Sequence, residues 1–316
     1  MIDLHTHTVF SDGSMTPREL VDEAVKYGST HLSVTDHDTI SGINEAIEHS
    51  KEVNGPEIIT GIEFSCHHKR EDIHILAYYI PLDNPALNGF LESKYAKREE
   101  RFRCVIEKLA KLGFPIKPDE VKAYAPGGMK MAPQIVKVLF DKNFIKSEKE
   151  AKHFVREYLM PGKKAYVEHG DNPDEIISFF HNLGSVTSLA HPNKIHDFSI
   201  VSDVISMGID GLEFYYPNII GEKRKKLALL IKENQLIATG GSDFHGVYAD
   251  SKLGSGNVPQ SVLKDIQNAL KSLKKMGTVP NKQISQTENI DIMLLVGWTK
   301  KLNICGLSPS FSRNIF

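Results

Sequence analysis

Short apolar runs with strand character alternate with helix-like runs along most of this chain, and that alternation limits the fold more than any single motif. Strand-like runs fall at residues 1–7, 31–36, 57–64, 72–80, 185–190, 211–215 and 236–240. Helix signals recur between them. Thr16-Pro17-Arg18-Glu19 sets a proline at a first helical position ahead of an acidic turn, and Leu20, Ala24 and Tyr27 continue a stripe that stops at Gly28. Seven strands separated mostly by helices predict a parallel sheet closed or nearly closed into a barrel. A polar turn at residues 67–71 joins the third and fourth strands.

The rhythm breaks between residues 84 and 164, where only helix-like runs occur, at 91–112, 118–125, 133–143 and 147–158. Pro126-Gly127-Gly128 and Pro161-Gly162 punctuate this stretch. The expected organisation is an α/β main domain at residues 1–83 and 165–280, with a helical insertion at 84–164 over its mouth. Residues 281–316 form a tail with no assigned role.

Composition matters here for what it excludes. A formal net charge of −2 in 316 residues gives no global attraction for nucleic acid or anionic membranes. Cys66, Cys104 and Cys305 are odd in number and scattered, which favours reduced thiols over a disulfide scaffold. The start lacks a signal-peptide pattern, and the apolar run at 292–296 is too short to span a bilayer. A cytoplasmic protein without a membrane partner is expected, and no obligate protein partner is implied.

The chemistry-bearing residues gather where predicted strands end. His5 and His7 leave one face of the first strand at i, i+2, and Asp12 follows. Asp36, His37 and Asp38 end the second strand, Glu63 lies on the third and His74 on the fourth. His191 ends the fifth strand, while Asp243 and His245 repeat the i, i+2 spacing after the seventh. With 14 histidines in the chain, roughly 0.6 His-x-His pairs arise by chance. Chance does not explain candidates at every strand end but the sixth. Imidazoles and carboxylates without cysteine suit Mn²⁺, Zn²⁺ or Fe²⁺, and more than four candidates imply more than one ion.

His5-Thr-His7, Thr35-Asp-His37, Glu63, Ala190-His-Pro192 and Ser242-Asp-Phe-His245 resemble the PHP (polymerase and histidinol phosphatase) family over residues 1–80 and 185–246. The resemblance implies a distorted (β/α)7 barrel holding two or three divalent metal ions. It would assign one ion to His5, His7, Glu63 and Asp243, and a second to Glu63, His74 and His191. Asp12, His37 and His245 would hold a third. The length and insertion look most like the stand-alone subgroup that dephosphorylates nucleotides, including 3′,5′-bisphosphonucleosides, with relatives that trim RNA from its 5′ end. That subgroup carries a Gly-Arg-Pro-His-like motif in the insertion. This chain has Gly128-Met-Lys-Met-Ala-Pro133 there, without the arginine and histidine.

The expected activity is hydrolysis of a small phosphomonoester, a nucleotide first, through a metal-activated hydroxide. Glu63 is the natural bridge between ions, with Asp243 beside it and His191 or His245 as general acid. Asp36 or Asp38 is expected to orient an imidazole. Arg98 and Arg101 share a helix face, and with Lys130, Lys163 and Lys164 they are candidate phosphate contacts. Phe214, Tyr215 and Tyr216 either pack the core or stack a base. The rival activities are histidinol-phosphate hydrolysis, 5′→3′ exonuclease action on short RNA, and a non-catalytic metal-stabilised module.

Overall fold

The structure, a computed structural model, describes residues 1–125, 128, 130–168, 170–248 and 251–276. The expected tail at 281–316, the end of the main domain at 277–280 and the Pro126-Gly127 break lie outside the described residues. Seven strands form one sheet in chain order: β1 (Ile2–Thr6), β2 (His31–Val34), β3 (Glu57–His68), β4 (Glu71–Tyr78), β5 (Val186–Leu189), β6 (Gly211–Tyr215) and β7 (Ile237–Gly240).

β1, β2 and β3 are parallel, as are β5, β6 and β7. β4 runs antiparallel to both its neighbours, so the expected all-parallel sheet is corrected to a mixed one. The cause is the turn at Lys69 and Arg70, with φ of 49° and 69°. A connection this short can only make a hairpin, because a parallel return needs a crossover of a dozen or more residues. The sheet curls, which brings the end of β1 to the segment that follows β7. Thr6 bridges Phe244, and the Asp243 amide donates to the His5 carbonyl at 2.9 Å.

Helices α1 (Pro17–Lys26) and α2 (Ile43–Glu52) follow β1 and β2. Thr16 and Glu19 close a capping box at the start of α1, and Leu20, Val21 and Ala24 are buried as the stripe requires. α7 (Pro173–Asn182), α8 (Ser199–Ser206) and α9 (Gly221–Glu233) return the chain to β5, β6 and β7. These helices and the sheet share one apolar core, including Leu32, Ile62, Phe64, Phe180 and Leu212. A second cluster joins Leu4, Ile59, Leu76 and Tyr78 to Val262 and Ile266 of α10 (Ser261–Met276).

The long α3 (Pro85–Lys111) begins six residues before its expected start, because Asn84 caps it and Pro85 occupies its first turn. It packs with α4 (Pro118–Lys122), α5 (Ala132–Asp141) and α6 (Glu148–Phe154) around a separate core that includes Leu109, Val121, Leu139 and Phe154. Side chains from this unit reach the sheet's mouth. Arg98 of α3 pairs with Asp38, and Gln134 of α5 donates to the Ser11 carbonyl at 2.9 Å. Cys66 is a free buried thiol, as expected, and Cys104 is not free, which corrects the expectation there; Cys305 lies outside the described residues.

Candidate metal centre

The mouth is built by how each strand ends. Gly241 lets the chain leaving β7 pass against β1: a Cβ there would lie 2.3 Å from the His5 Cβ and 2.5 Å from its amide nitrogen. That approach puts Asp243 beside His5 and His7. Asp243 itself adopts φ 54°, and His191 adopts φ 29°. Non-glycine residues in these regions cost about 1–3 kcal/mol each and persist where surrounding bonds over-determine them. The Asp243 carbonyl accepts from His245 Nδ1 at 2.8 Å and from Ser251 Oγ at 3.0 Å. Residues 35–38 run beside the middle of β3, where the Asp38 amide donates to the Glu63 carbonyl at 3.0 Å and His37 bridges Glu63. The β3–β4 register pairs Ser65 with His74, so Glu63 and His74 stand on adjacent rows of one face.

Glu63 is the centre of the cluster and is fully buried. Its Oε2 has His5 Nε2, His7 Nε2 and His37 Nδ1 around it, each at 3.2 Å. Its Oε1 faces His74 Nδ1 at 3.0 Å and His191 Nε2 at 2.9 Å. Asp243 Oδ1 lies 3.4 Å from His5 Nε2 and 3.3 Å from His7 Nε2. His245 Nε2 lies 3.2 Å from Asp12 Oδ1, while His37 Nε2 is 3.7 Å from Asp12 Oδ2. All nine residues singled out as ligands therefore converge. Their donor atoms fall into the groups His5/His7/Glu63/Asp243, His37/Glu63/His74 and His7/Asp12/His37/His245. His191 joins Glu63 and His74, with 3.3 Å between the two imidazole nitrogens. His37 lies close enough to serve either neighbouring group, a sharing the sequence did not suggest.

Hydrogen bonding does not account for this crowding. Glu63 Oε2, His7 Nδ1 and His37 Nδ1 are buried without a hydrogen-bond partner. Each such atom costs about 1–3 kcal/mol. His5 Nε2 and His7 Nε2 approach to 3.1 Å. Nitrogen and oxygen lone pairs aimed at common points, without cysteine, suit borderline divalent cations. The residues present fit such ions.

The electrostatics agree. Burial alone would lower the His5 imidazolium, but the charges of Glu63, Glu213 and Asp243 outweigh it and hold the group well above its usual range. Burial alone would also lower His7, but the adjacent carboxylates of Asp243, Glu63 and Asp12 outweigh it and raise the group to about 10. Burial wins at His37 and His191, which fall to about 3 and about 4 and stay neutral. The carboxyls of Glu63 and Asp243 would be raised by burial, yet the imidazoles around them hold both well below their usual range.

Some residues that shape the centre carry no spacing signal. Glu213 of β6 is buried behind His5, accepting from its Nδ1 at 2.9 Å and from the His191 amide at 2.6 Å. The one available clue was a carboxylate inside an otherwise apolar strand. Asp3 accepts from the Ser242 amide at 2.8 Å and the Gly254 amide at 2.7 Å, tying β1 to the segment after β7. Lys194 Nζ and the Tyr216 hydroxyl donate to Asp243 Oδ2 at 2.7 and 2.9 Å. Asp36 and Asp38 do not take the imidazole-orienting part expected of them. Asp36 accepts from Thr8 and Ser11, bracing the 7–12 loop, and Asp38 accepts from Ser65 and Arg98.

The candidate phosphate contacts are partly dispersed. Arg98, Arg101 and Lys130 line one small cavity of about 80 Å³. Arg98 reaches Asp38, but Arg101 Nε donates to the Val167 carbonyl at 2.9 Å and Lys130 pairs with Glu99. Lys164 is exposed, with its ammonium 5.6 Å from the Tyr158 ring centre. The cleft that opens on the cluster holds about 650 Å³ and is lined by Asp12, Asp243, His245, Lys194, Tyr216 and Lys252, among others. Phe214 and Tyr215 pack into the two cores flanking β6.

The PHP domain family matches residues 3–235. A 5′-3′ exoribonuclease of Haemophilus influenzae is 35% identical over 250 residues, spanning 77% of this chain and 89% of the relative. A 3′,5′-nucleoside bisphosphate phosphatase of Chromobacterium violaceum is 28% identical over 256 residues, 77% of this chain and 87% of that protein. Among solved structures, a Bifidobacterium adolescentis protein provisionally described as a metal-dependent phosphoesterase superposes with TM-score 0.76 at 27% identity. It covers 85% of this chain and 96% of its own.

Proposed function

The chain belongs to the PHP domain family and is a metal-dependent phosphoesterase, and we propose that it hydrolyses a small phosphomonoester, a nucleotide, at the cluster around Glu63. The observation that carries this reading is the Glu63 carboxylate, ringed by five imidazoles on its two oxygens and buried with one of those oxygens unbonded.

Two or three ions (Mn²⁺, Zn²⁺ or Fe²⁺) would be held by His5, His7, Glu63 and Asp243, by Glu63, His74 and His191, and by Asp12, His37 and His245. Such ions supply Lewis acidity toward water and toward the phosphoryl oxygens. The chain's own residues do the rest. Glu63 presents one oxygen to each side of the cluster. Glu213 fixes the His5 ring by accepting a hydrogen bond from its Nδ1–H, which leaves Nε2 for a cation. His191 is held neutral by burial, at about 4, which suits it to a ligand's part. With only two ions bound, His245 would be free of a cation, and it borders the cleft where it could protonate a leaving oxygen. Arg98 reaches the edge of the cluster through its pairing with Asp38. Arg101 and Lys130, in the same small cavity, belong to a further phosphate-facing wall.

In this reading the strands make a distorted (β/α)7 barrel with its mouth under the helical segment 84–164, and the enzyme works in the cytoplasm. No described helix is long and apolar enough to cross a membrane. A second reading, 5′→3′ exonuclease action on short RNA, is favoured by the Haemophilus influenzae relative.

The test is phosphate release from a generic aryl phosphate after chelation and re-addition of Mn²⁺. Turnover is expected to depend on the ion and to be lost in Asp243→Ala and His191→Ala. Undiminished turnover without metal would refute the reading.

A further inference from the structure

The 650 Å³ cleft lies within the usual size range of small-molecule sites and exceeds what one phosphate group fills. Two lysines line it, and they differ in kind. Lys194 is already matched, with its ammonium 2.7 Å from Asp243 Oδ2 and 5.4 Å from the Tyr216 ring centre. Lys252 is exposed and makes no ion pair among the described residues.

Its backbone nevertheless fixes it at the cleft. The preceding Ser251 donates to the Asp243 carbonyl at 3.0 Å, and Gly254, two residues on, donates to the buried Asp3 carboxylate at 2.7 Å. Gly256 extends this anchorage: a Cβ there would lie 2.5 Å from the Gly241 and Tyr215 carbonyl oxygens, so the segment is packed against the ends of β6 and β7. A cation pinned through its own chain neighbours to a metal-type ligand, with no counter-charge among the described residues, is placed for an anion entering the cleft.

We propose that Lys252 binds an anionic group of the substrate other than the phosphate being hydrolysed, namely a second phosphate carried by the leaving alcohol. This rests on the phosphoesterase reading and narrows it. The second phosphate belongs either to a nucleoside bisphosphate or to the next internucleotide linkage of a 5′-phosphorylated RNA. Asp12, Asp243 and His245 stand on the hydrolytic side of the same cleft, and Tyr216 and Asn218 line it too, where a nucleoside would lie between the two phosphates.

The experiment uses Mn²⁺-loaded wild type, Lys252→Glu and Lys252→Arg. It measures kcat/KM on an aryl phosphate, a nucleoside 3′,5′-bisphosphate and a 5′-phosphorylated diribonucleotide. The ratio of either two-phosphate substrate to aryl phosphate should fall at least tenfold in Lys252→Glu, mainly through KM, and recover in Lys252→Arg. A fall confined to the bisphosphate or to the dinucleotide identifies the source of the anion. Ratios unchanged for both overturn the proposal. Should no substrate be turned over, the phosphoesterase reading fails by itself. Calorimetric binding of the bisphosphate then decides this one: at least tenfold weaker binding to Lys252→Glu supports it, and equal binding overturns it.

Discussion

Glu213 Oε1 accepts a hydrogen bond from His5 Nδ1 at 2.9 Å while its other oxygen accepts one from the His191 amide at 2.6 Å. One buried carboxylate thereby sets the ring of the first ligand and the strained backbone of another. In Glu213→Gln the amide oxygen can accept only one of these donors, and its NH₂ is forced against the other. An unsatisfied buried donor costs about 1–3 kcal/mol. Losing a group that orients a metal-binding imidazole typically costs about 10–100-fold in affinity. Both should appear, the first in chemical denaturation of the metal-free protein and the second in a competition titration with a chelating dye.

Lys194 and Tyr216 hold the outer oxygen of Asp243 so that Oδ1 points at His5 and His7. Lys194→Met should lower aryl phosphate turnover by about 10–100-fold, the range for loss of a group that orients a ligand. Tyr216→Phe removes one neutral donor, worth about 0.5–1.5 kcal/mol, and should cost about tenfold or less. Steady-state kinetics of the two variants side by side checks the order.

Gly241→Ala would drive a methyl group into the His5 backbone. Because backbone on both sides is pinned by the Asp243–His5 hydrogen bond, relief by side-chain rotation is not available. The loss should reach or exceed the about 1–3 kcal/mol typical of overpacking. Equilibrium unfolding in urea measures it, and metal binding should weaken in step as Asp243 shifts.

How much of this was readable in the sequence depends on whether a signal is local. His5-x-His7 and Asp243-x-His245 are local, since a strand's two-residue period sets both pairs on one face. Their convergence followed from placing each pair at a strand end. The direction of β4 was less legible. Lys69 and Arg70 adopt positive φ without the glycine or asparagine that usually marks such a turn, and counting strands says nothing of polarity. Glu213 was missed because its partners are 208 and 22 residues away and no spacing links them. The surroundings of the insertion lysines were hard to read for a related reason. Helical periodicity tells which residues share a face, but not that Lys130 would turn to Glu99 and Lys164 toward Tyr158.

Acid should destabilise the metal-free protein. His191 and His37 are neutral when folded, with values of about 4 and about 3 against an ordinary 6.5. The unfolded chain therefore binds their protons first. Their contribution is complete above about pH 6.5 and is lost as the pH falls through about 4 and then about 3. Glu63 and Asp243, held below their usual range, lose stability in the same direction as they protonate. His7 runs the other way, since its value of about 10 gives stability that is present below 6.5 and lost as the pH rises through 10. The thermal midpoint of the chelated protein should fall steadily between pH 6.5 and 4. Metal should also displace the His5 and His7 protons, giving net proton release in calorimetry across buffers of different ionisation enthalpy.

The central claim is that residues from position 5 to position 245 grip divalent cations around Glu63. Anomalous X-ray scattering from Mn²⁺-loaded crystals tests it most directly. Peaks are predicted within bonding distance of Glu63, one bounded by His5, His7 and Asp243 and another by His74 and His191, with Asp12, His37 and His245 around any third. Crystals that take up Mn²⁺ only elsewhere, or show no peak within reach of Glu63, would contradict it.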